Sequence, residues 1–284
     1  MIVFVIIVYN IKLSDCITLT TLRNSLNMKV AMPYRILVLD NSEEPSDPGF
    51  FRPNFEYIGF RENIGLARAY KYGVAYCRDL GAAFMVTLDQ DSTVTTAYID
   101  AALKYTKLYI GRDVALCPRI FFGDRQISPF SFSPTGIPKY CITGKLHAIN
   151  SFSVYSVSTL ASSDIIDEFY WLDALDFAIF ENLHRRGIPV VAMDVEVQHN
   201  LSLLQGGVRH VRLANIAFYE AAFLFEYCGP IRLLSGLVIL VLRVARRIDL
   251  ISRSNGFGTM LGAIISGAIK GLTRRMGRQS VVGT

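Results

Sequence analysis

Seven consecutive apolar residues, Ile2–Val8, stop abruptly at the polar pair Tyr9-Asn10, and this change recurs along the first third of the chain. Apolar runs at residues 35–39 and 84–88 end at Asp40-Asn41-Ser42 and Asp89-Gln90-Asp91. A shorter run covers 56–60. Between the runs lie segments of helical period, one opening near Ser14-Asp15 with Leu19, Leu22 and Leu26 on one face, another over 64–80 that turns Leu66, Tyr70, Val74 and Cys77 inward. Near-continuous apolar strands alternating with amphipathic helices predict an α/β fold with a largely parallel sheet covered by crossover helices. Ligands of open α/β sheets bind beyond the carboxyl ends of the strands, so the three polar strand ends converge on one site.

The second hundred residues are less regular. A strand is predicted over 114–121, followed by a Pro/Ser-rich stretch at 128–134, a Thr143-Gly144 pair, a helix over 174–186 that stops at Gly187, and a strand over 188–197. Beyond His199 the chain reads as helical, with Gly206-Gly207 as a break. With 284 residues, 51% of them hydrophobic and 19% charged, the chain has ample core and is too apolar for disorder. Its mean hydropathy of +0.34 is high for a protein without membrane contact. The five cysteines are scattered and odd in number, which excludes a disulfide scaffold and a zinc finger. The apolar amino-terminal run lacks a basic flank and a small-residue cleavage site, and is read as a buried strand of a cytoplasmic protein.

Charge divides the chain. Residues 1–229 hold 20 Lys/Arg against 23 Asp/Glu, a net −3, whereas 230–284 hold nine against Asp249 alone, a net +8. That tail also carries the apolar stretch 233–242, too short to span a bilayer that needs about 20 apolar residues. Anionic lipid matches both properties and nucleic acid only one, so the expected partner is a membrane surface.

The polar strand ends are acidic, and carboxylates hold a polyphosphate only through a divalent cation, Mg²⁺ or Mn²⁺. Asp89 and Asp91 suit that task, although a D-x-D tripeptide is also the ordinary form of two solvated loop acids. No G-x-G-x-x-G follows the first strand and no P-loop occurs, which disfavours dinucleotide oxidoreductases and P-loop NTPases. In Asn63-Ile-Gly65-Leu-Ala67-Arg68-Ala69, the small residues permit either close approach of a ligand or close packing of helix on sheet. Asp173 and Asp176, spaced i, i+3 at a predicted helix start, are placed to act as bases in a cleft; Asp173 serves equally as an N-cap.

These residues carry a resemblance. Val8-Tyr9-Asn10, Asp40-Asn41-Ser42, Asn63-x-Gly65-x-Ala67-x-Ala69-x-x-x-Gly73, Asp89-x-Asp91, Thr143-Gly144, the segment from Asp167 through Trp171 to Asp173 and Asp176, Gly187 and His199 follow the order and spacing of family 2 glycosyltransferases of the GT-A fold. The match spans roughly residues 2–200, and the rhamnosyltransferase-like branch looks closest. On this resemblance the chain divides into a nucleotide-binding half at 1–120 and an acceptor half at 121–229, and the charge and apolar pattern already described make 230–284 a basic, amphipathic, membrane-associating helical tail. It implies that Tyr9, Asn10, Asp40, Asn63, Gly65, Arg68 and Asp89 bind the donor, with Asp40 on the nucleoside base. Asp89, Asp91 and His199 would hold the metal. Thr143, Gly144 and Trp171 would face the acceptor, Asp173 would be the general base, and Asp176 would support it. Two departures stand out: Lys71 where the family often has Asn, and Asn182 where it often has Arg.

The activity so implied is inverting, metal-dependent transfer of a sugar, rhamnose being a candidate, from a dTDP- or UDP-linked donor to a lipid-linked glycan. This is a step in bacterial surface polysaccharide synthesis, performed peripherally at the cytoplasmic face of the inner membrane. One rival is a catalytically silent, nucleotide-binding scaffold at that surface. A nucleotidyltransferase, the other, would carry a Gly-rich basic loop after the first strand, and none is present.

Overall fold

A computed structural model describes residues 1–27, 33–46, 54–133, 138–162, 164–199, 210–245 and 256–282. They fall into two compact units, the first comprising Met1–Ser131, Tyr140–Leu172 and Ile179–Asn200, the second Phe132–Lys139, Asp173–Ala178 and Leu201–Thr284.

The first unit is built on an eight-stranded sheet. Its strands are β1 (Ile2–Val8), β2 (Tyr34–Asp40), β3 (Phe55–Gly59), β4 (Phe84–Asp89), β5 (Ala115–Phe122), β6 (Arg125–Ser128), β9 (Val154–Ser156) and β10 (Val190–Gln198). They run in the order β10-β5-β9-β4-β1-β2-β3, with β6 added to β5. Strands β1 to β4 are mutually parallel, with Val8 opposite Asp40 and Ile7 opposite Asp89. That register brings the expected polar ends to one edge of the sheet. β9, which the sequence pattern does not reveal, runs antiparallel between β4 and β5. Two short strands, β7 (Phe130–Phe132) and β8 (Pro138–Tyr140), form a separate ribbon in the Pro/Ser-rich stretch.

All seven β1 residues are buried, as a central parallel strand covered on both faces requires. Helix α1 (Ile17–Asn27) follows a 3₁₀ turn at Leu13–Asp15 and buries Leu19, Leu22 and Leu26. Helix α2 (Leu66–Asp79) buries Tyr70, Val74 and Cys77, while Leu66 is only half-buried. At Gly73 an added Cβ would lie 3.3 Å from Val5 and Met85 side chains, so this glycine serves helix–sheet packing. Helix α3 (Thr96–Leu108) is capped by the Thr95 hydroxyl, which accepts from Tyr98 N at 3.2 Å. α4 (Val157–Leu160) is a single turn, and α5 (Leu175–Arg185) ends just ahead of Gly187, whose φ of +69° marks the helix stop.

The second unit holds α6 (His210–Tyr227), α7 (Pro230–Ala245) and α8 (Gly256–Val282). The expected Gly206-Gly207 break lies outside the described residues. The 229/230 boundary drawn from charge falls between α6 and α7. α6 and α8 approach until their backbones nearly touch: a Cβ on Gly267 or Gly271 would stand 2.2 Å from the carbonyl oxygens of Phe218 and Ala222. Around this crossing Leu213, Ala217, Ala221 and Met260 form a small core. Glu226, its side chain fully buried, is held by Arg274 Nε at 2.8 Å and Arg278 Nε at 2.7 Å, and Arg275 donates to the Cys228 carbonyl at 3.0 Å. Arg274, Arg275 and Arg278 are therefore engaged inside the unit, and Arg232 stacks on the Phe132 ring at 4.2 Å.

Candidate active site

The ends of β1, β2 and β4 are laced together by hydrogen bonds that no local motif announces. Tyr9 N donates to Gln90 Oε1 at 2.7 Å, Asn10 N to Ser42 Oγ at 2.8 Å, and Asn41 N to the Val8 carbonyl at 2.9 Å. The structure thus gathers Tyr9, Asn10, Asp40 and the Asp89–Asp91 turn at one place. Asp40 is completely buried, and three donors reach its carboxylate: Ser42 N at 2.9 Å, Ser46 N at 3.1 Å and Tyr57 Oη at 2.7 Å. Its first job is to organise this corner. A cavity of about 520 Å³, lined by Ser46, Tyr57, Gly59 and Arg61 among others, opens beside it.

Asp89 ends β4 with 37% of its side chain accessible. Its carboxylate stands 3.8 Å from His199 Nε2, and Ser151 Oγ receives its backbone N–H at 3.3 Å. The other His199 nitrogen meets Ser92 Oγ at 3.3 Å, and Ser92 meets Ser151 at 3.1 Å. Thr18 ties the turn from below, its hydroxyl bonding the carbonyls of Asp89 and Ser92 and accepting from Ser92 N. His199, itself buried, is therefore oriented with Nε2 toward Asp89. Partial loss of solvent raises the Asp89 carboxyl above the usual carboxylate range; His199 opposes this and the charge of Asp91 reinforces it. Oxygen and nitrogen 3.8 Å apart can both reach one cation at about 2.1 Å, so Asp89 and His199 fit a divalent ion completed by phosphate oxygens. Asp91 is not closed onto them: among the described residues no group of three His, Cys, Asp or Glu side chains is placed to hold an ion.

The Asn63–Gly65 segment has internal work. Asn63 Oδ1 accepts from Gly65 N at 3.1 Å. The start of α2 is capped by the Trp171 carbonyl, which receives Leu66 N at 2.8 Å and Ala67 N at 3.3 Å. Gly65, with φ +83°, lies directly under the Trp171 indole. Ala67 and Ala69 are buried, so the packing alternative accounts for these small residues. Arg68 and Lys71 both grip Glu168, at 3.1 and 2.8 Å, which gives the unexpected Lys71 a partner. Asn182 is buried and donates to the carbonyls of Asp164 and Ile165. Thr143 and Gly144 lie exposed in a loop whose continuation is anchored where Lys145 and His147 meet Glu181 at 2.9 and 3.2 Å.

In the second unit, Asp173 precedes α5, separated from it by Ala174 at φ +59°. It therefore does not share a helical face with Asp176, and it is not the N-cap, since the Ala174 carbonyl accepts from Ala178 N. Asp176 sits in the first turn of α5, where the helix dipole favours its charge. The Asp173 side chain is 9% exposed and pairs with Arg212 Nη2 at 2.7 Å. Burial raises its carboxyl to about 6, against the pull of Arg212 and with help from Glu220. Arg212 lies 39 positions along the chain on α6, which is why no sequence motif exposed it.

No protein-family model matches the sequence, and no curated protein does. Solved structures do. S. aureus TarS 1-349 in complex with UDP-GlcNAc is 11% identical, with a TM-score of 0.55, covering 98% of this chain and 92% of that one. GalNAc-T7 with UDP, GalNAc and Mn²⁺ is 13% identical at 0.54, over 80% of this chain and 48% of its own. The mannosyltransferase PcManGT from Pyrobaculum calidifontis with GDP-Man and Mn²⁺ is 13% identical at 0.52, over 95% and 86%. Against a longer TarS structure the chain spans 43% of that length. These likenesses establish the fold, the GT-A fold of nucleotide-diphospho-sugar transferases.

Proposed function

We propose that the chain is a glycosyltransferase using a nucleoside-diphosphate sugar. The observation that carries this reading is the strand-end pair Asp89 and His199, with Asp91 beside it, on a fold whose similar structures hold UDP, UDP-GlcNAc or GDP-Man. Asp89 and His199 would hold Mg²⁺ or Mn²⁺, which supplies positive charge to the departing diphosphate. Tyr9, Asn10 and the corner organised by Asp40 would receive the nucleoside, Asn63, Gly65 and Arg68 would border it, and Thr143, Gly144 and Trp171 would border the acceptor. Asp173 takes the proton of the acceptor hydroxyl as that oxygen bonds to the anomeric carbon and the bond to the diphosphate breaks. A single displacement of this kind inverts the anomeric centre. The finer reading is transfer from a dTDP- or UDP-linked sugar, with rhamnose a candidate, to a lipid-linked glycan of bacterial surface polysaccharide at the cytoplasmic membrane face.

The Arg212 contact on Asp173 supports a second reading, a nucleotide-binding scaffold without transfer. A panel of sugar nucleotides with Mn²⁺, scored for melting shift and for slow donor hydrolysis, separates them. A shift with hydrolysis supports the transferase, a shift without hydrolysis or transfer supports the scaffold, and no shift with any donor refutes both. Equal shifts in excess chelator would refute the metal role of Asp89 and His199.

A further inference from the structure

We propose that Arg212 is a positioning residue for the transfer reaction: it holds the Asp173 carboxylate in place and in its charged form. The proposal rests on the reading of Asp173 as the base and names what makes it one. The Asp173 side chain is 9% exposed, and Ala174, at φ +59°, separates it from α5, so its orientation is not set by that helix. Among the described residues Arg212 is the one cation in contact with it, Nη2 standing 2.7 Å from Oδ1. Arg212 and Tyr219, seven positions apart on α6, share one face of that helix. The Tyr219 hydroxyl is pushed above its usual range by burial and then by the charge of Asp173, which places the carboxylate over this face. Arg212 is 30% exposed, so its guanidinium reaches inward from the rim to an acid that is almost enclosed.

An acid in such surroundings tends to the neutral form, since burial penalises its charge and Glu220 of α6 adds a like one. Asp176, the next acid along the chain, lies in the first turn of α5 and gives no counter-charge. Arg212 alone favours ionisation. The balance leaves the carboxyl at about 6, so that at neutral pH it is charged by roughly ten to one. At a contact of 2.7 Å, removing the guanidinium forfeits an attraction equivalent to about one pH unit or more, even at the high effective dielectric of a protein edge. That carries the carboxyl to neutrality or beyond, and a protonated Asp173 cannot accept the proton of an acceptor hydroxyl. In a scaffold without chemistry the same pair would carry structure only, so the two roles part in their dependence on pH.

The test compares the wild-type chain with Arg212→Met, Arg212→Lys, and Arg212→Met combined with Asp173→Asn. In sugar transfer, Arg212→Met should move the rising limb of kcat/KM up by about one pH unit or more, lowering it roughly ten-fold at pH 5.5 and recovering most of the loss by pH 9. Arg212→Lys keeps the charge and should hold the limb near its wild-type position. A loss equal at every pH, with the limb unmoved, is the mark of a merely structural residue and overturns the proposal. Urea unfolding over the same range reads the charge without any reaction. With Arg212 gone, folded Asp173 stays protonated to higher pH while the unfolded chain does not. Between pH 6 and 8 the folding equilibrium constant of Arg212→Met should therefore fall by up to about ten-fold per pH unit relative to the wild type, and the double variant should stay nearly parallel to it. Parallel slopes for Arg212→Met and wild type overturn the proposal too. Near pH 5 Asp173 is mostly protonated in both proteins, so a variant too weak to fold at pH 8 is still measurable there. The steeper slope together with full transfer by Asp173→Asn would refute Asp173 as the base, and the catalytic role of Arg212 with it, while leaving the ion pair established.

Discussion

Replacing Gly65 by alanine tests whether the start of α2 and the Trp171 segment are one mechanical piece. The added Cβ would stand 2.1 Å from Trp171 Nε1 and 2.2 Å from Cδ1, contacts that cannot exist, so the indole must move. With ψ at 164°, the φ of +83° lies in a region that only glycine visits readily, which costs an L-residue about 1–3 kcal/mol. If Trp171 shifts its backbone as well, its carbonyl releases Leu66 N and Ala67 N, each bond worth about 0.5–1.5 kcal/mol. The sum is about 2–6 kcal/mol, roughly 5–20 °C in melting temperature for a unit of this size. Gly81→Ala is the control for a positive φ without the clash: φ there is +62° with nothing within 4 Å of a Cβ, so it should show a backbone cost alone. Calorimetric melting of both variants, with Trp171 fluorescence following the indole, measures the difference. The double variant Gly65→Ala with Trp171→Ala should recover the steric part. If Gly65→Ala melts with Gly81→Ala, the coupling argued here is wrong.

Tyr57→Phe removes one of three donors to the buried Asp40 carboxylate and should cost about 1–3 kcal/mol in urea unfolding, with an unchanged m-value. Asp173→Asn should lower sugar transfer about 10²–10⁴-fold while donor-induced melting shifts persist. In the base role proposed for it, Asp173 works deprotonated, so kcat/KM should rise with pH through about 6 and then level; a flat profile from pH 5 to 8 would exclude that role. Its raised carboxyl also means that its contribution to stability is full below about 4, the value in the unfolded chain, and is lost as pH rises through about 6. Arg274→Met together with Arg278→Met leaves Glu226 a buried, uncompensated charge and should cost about 3–5 kcal/mol, largely restored by adding Glu226→Gln; a denaturant midpoint unmoved by the pair would contradict the burial.

The parallel half of the sheet was legible because each strand is an apolar run broken by polar residues, and β1 to β4 follow those runs within a residue or two. β9 was not, since three residues, Val154–Ser156, hold their place only through β4 and β5 on either side. Asp40 and Asp89 could be placed at strand ends from sequence, but not what surrounds them. Ser92, Ser151 and Thr18 form no motif and meet only when β4, α1 and the loop before β9 are assembled. Small residues at 65, 67 and 69 were ambiguous in the same way, because a glycine under an indole and a glycine beside a ligand have one spelling. The pairing of Asp173 with Arg212 was hidden by distance along the chain, and the i, i+3 argument failed on one left-handed alanine.

Glu226 also sets an order of events during synthesis. Its carboxylate is enclosed by α6, yet both guanidiniums that neutralise it are made about fifty residues later. While the ribosome is still translating α7, α6 has neither the arginines nor the two glycines that let α8 lie against its backbone. At about 5–20 residues per second this interval lasts several seconds. The helical unit therefore closes late, once the arginines and glycines of α8 have been made.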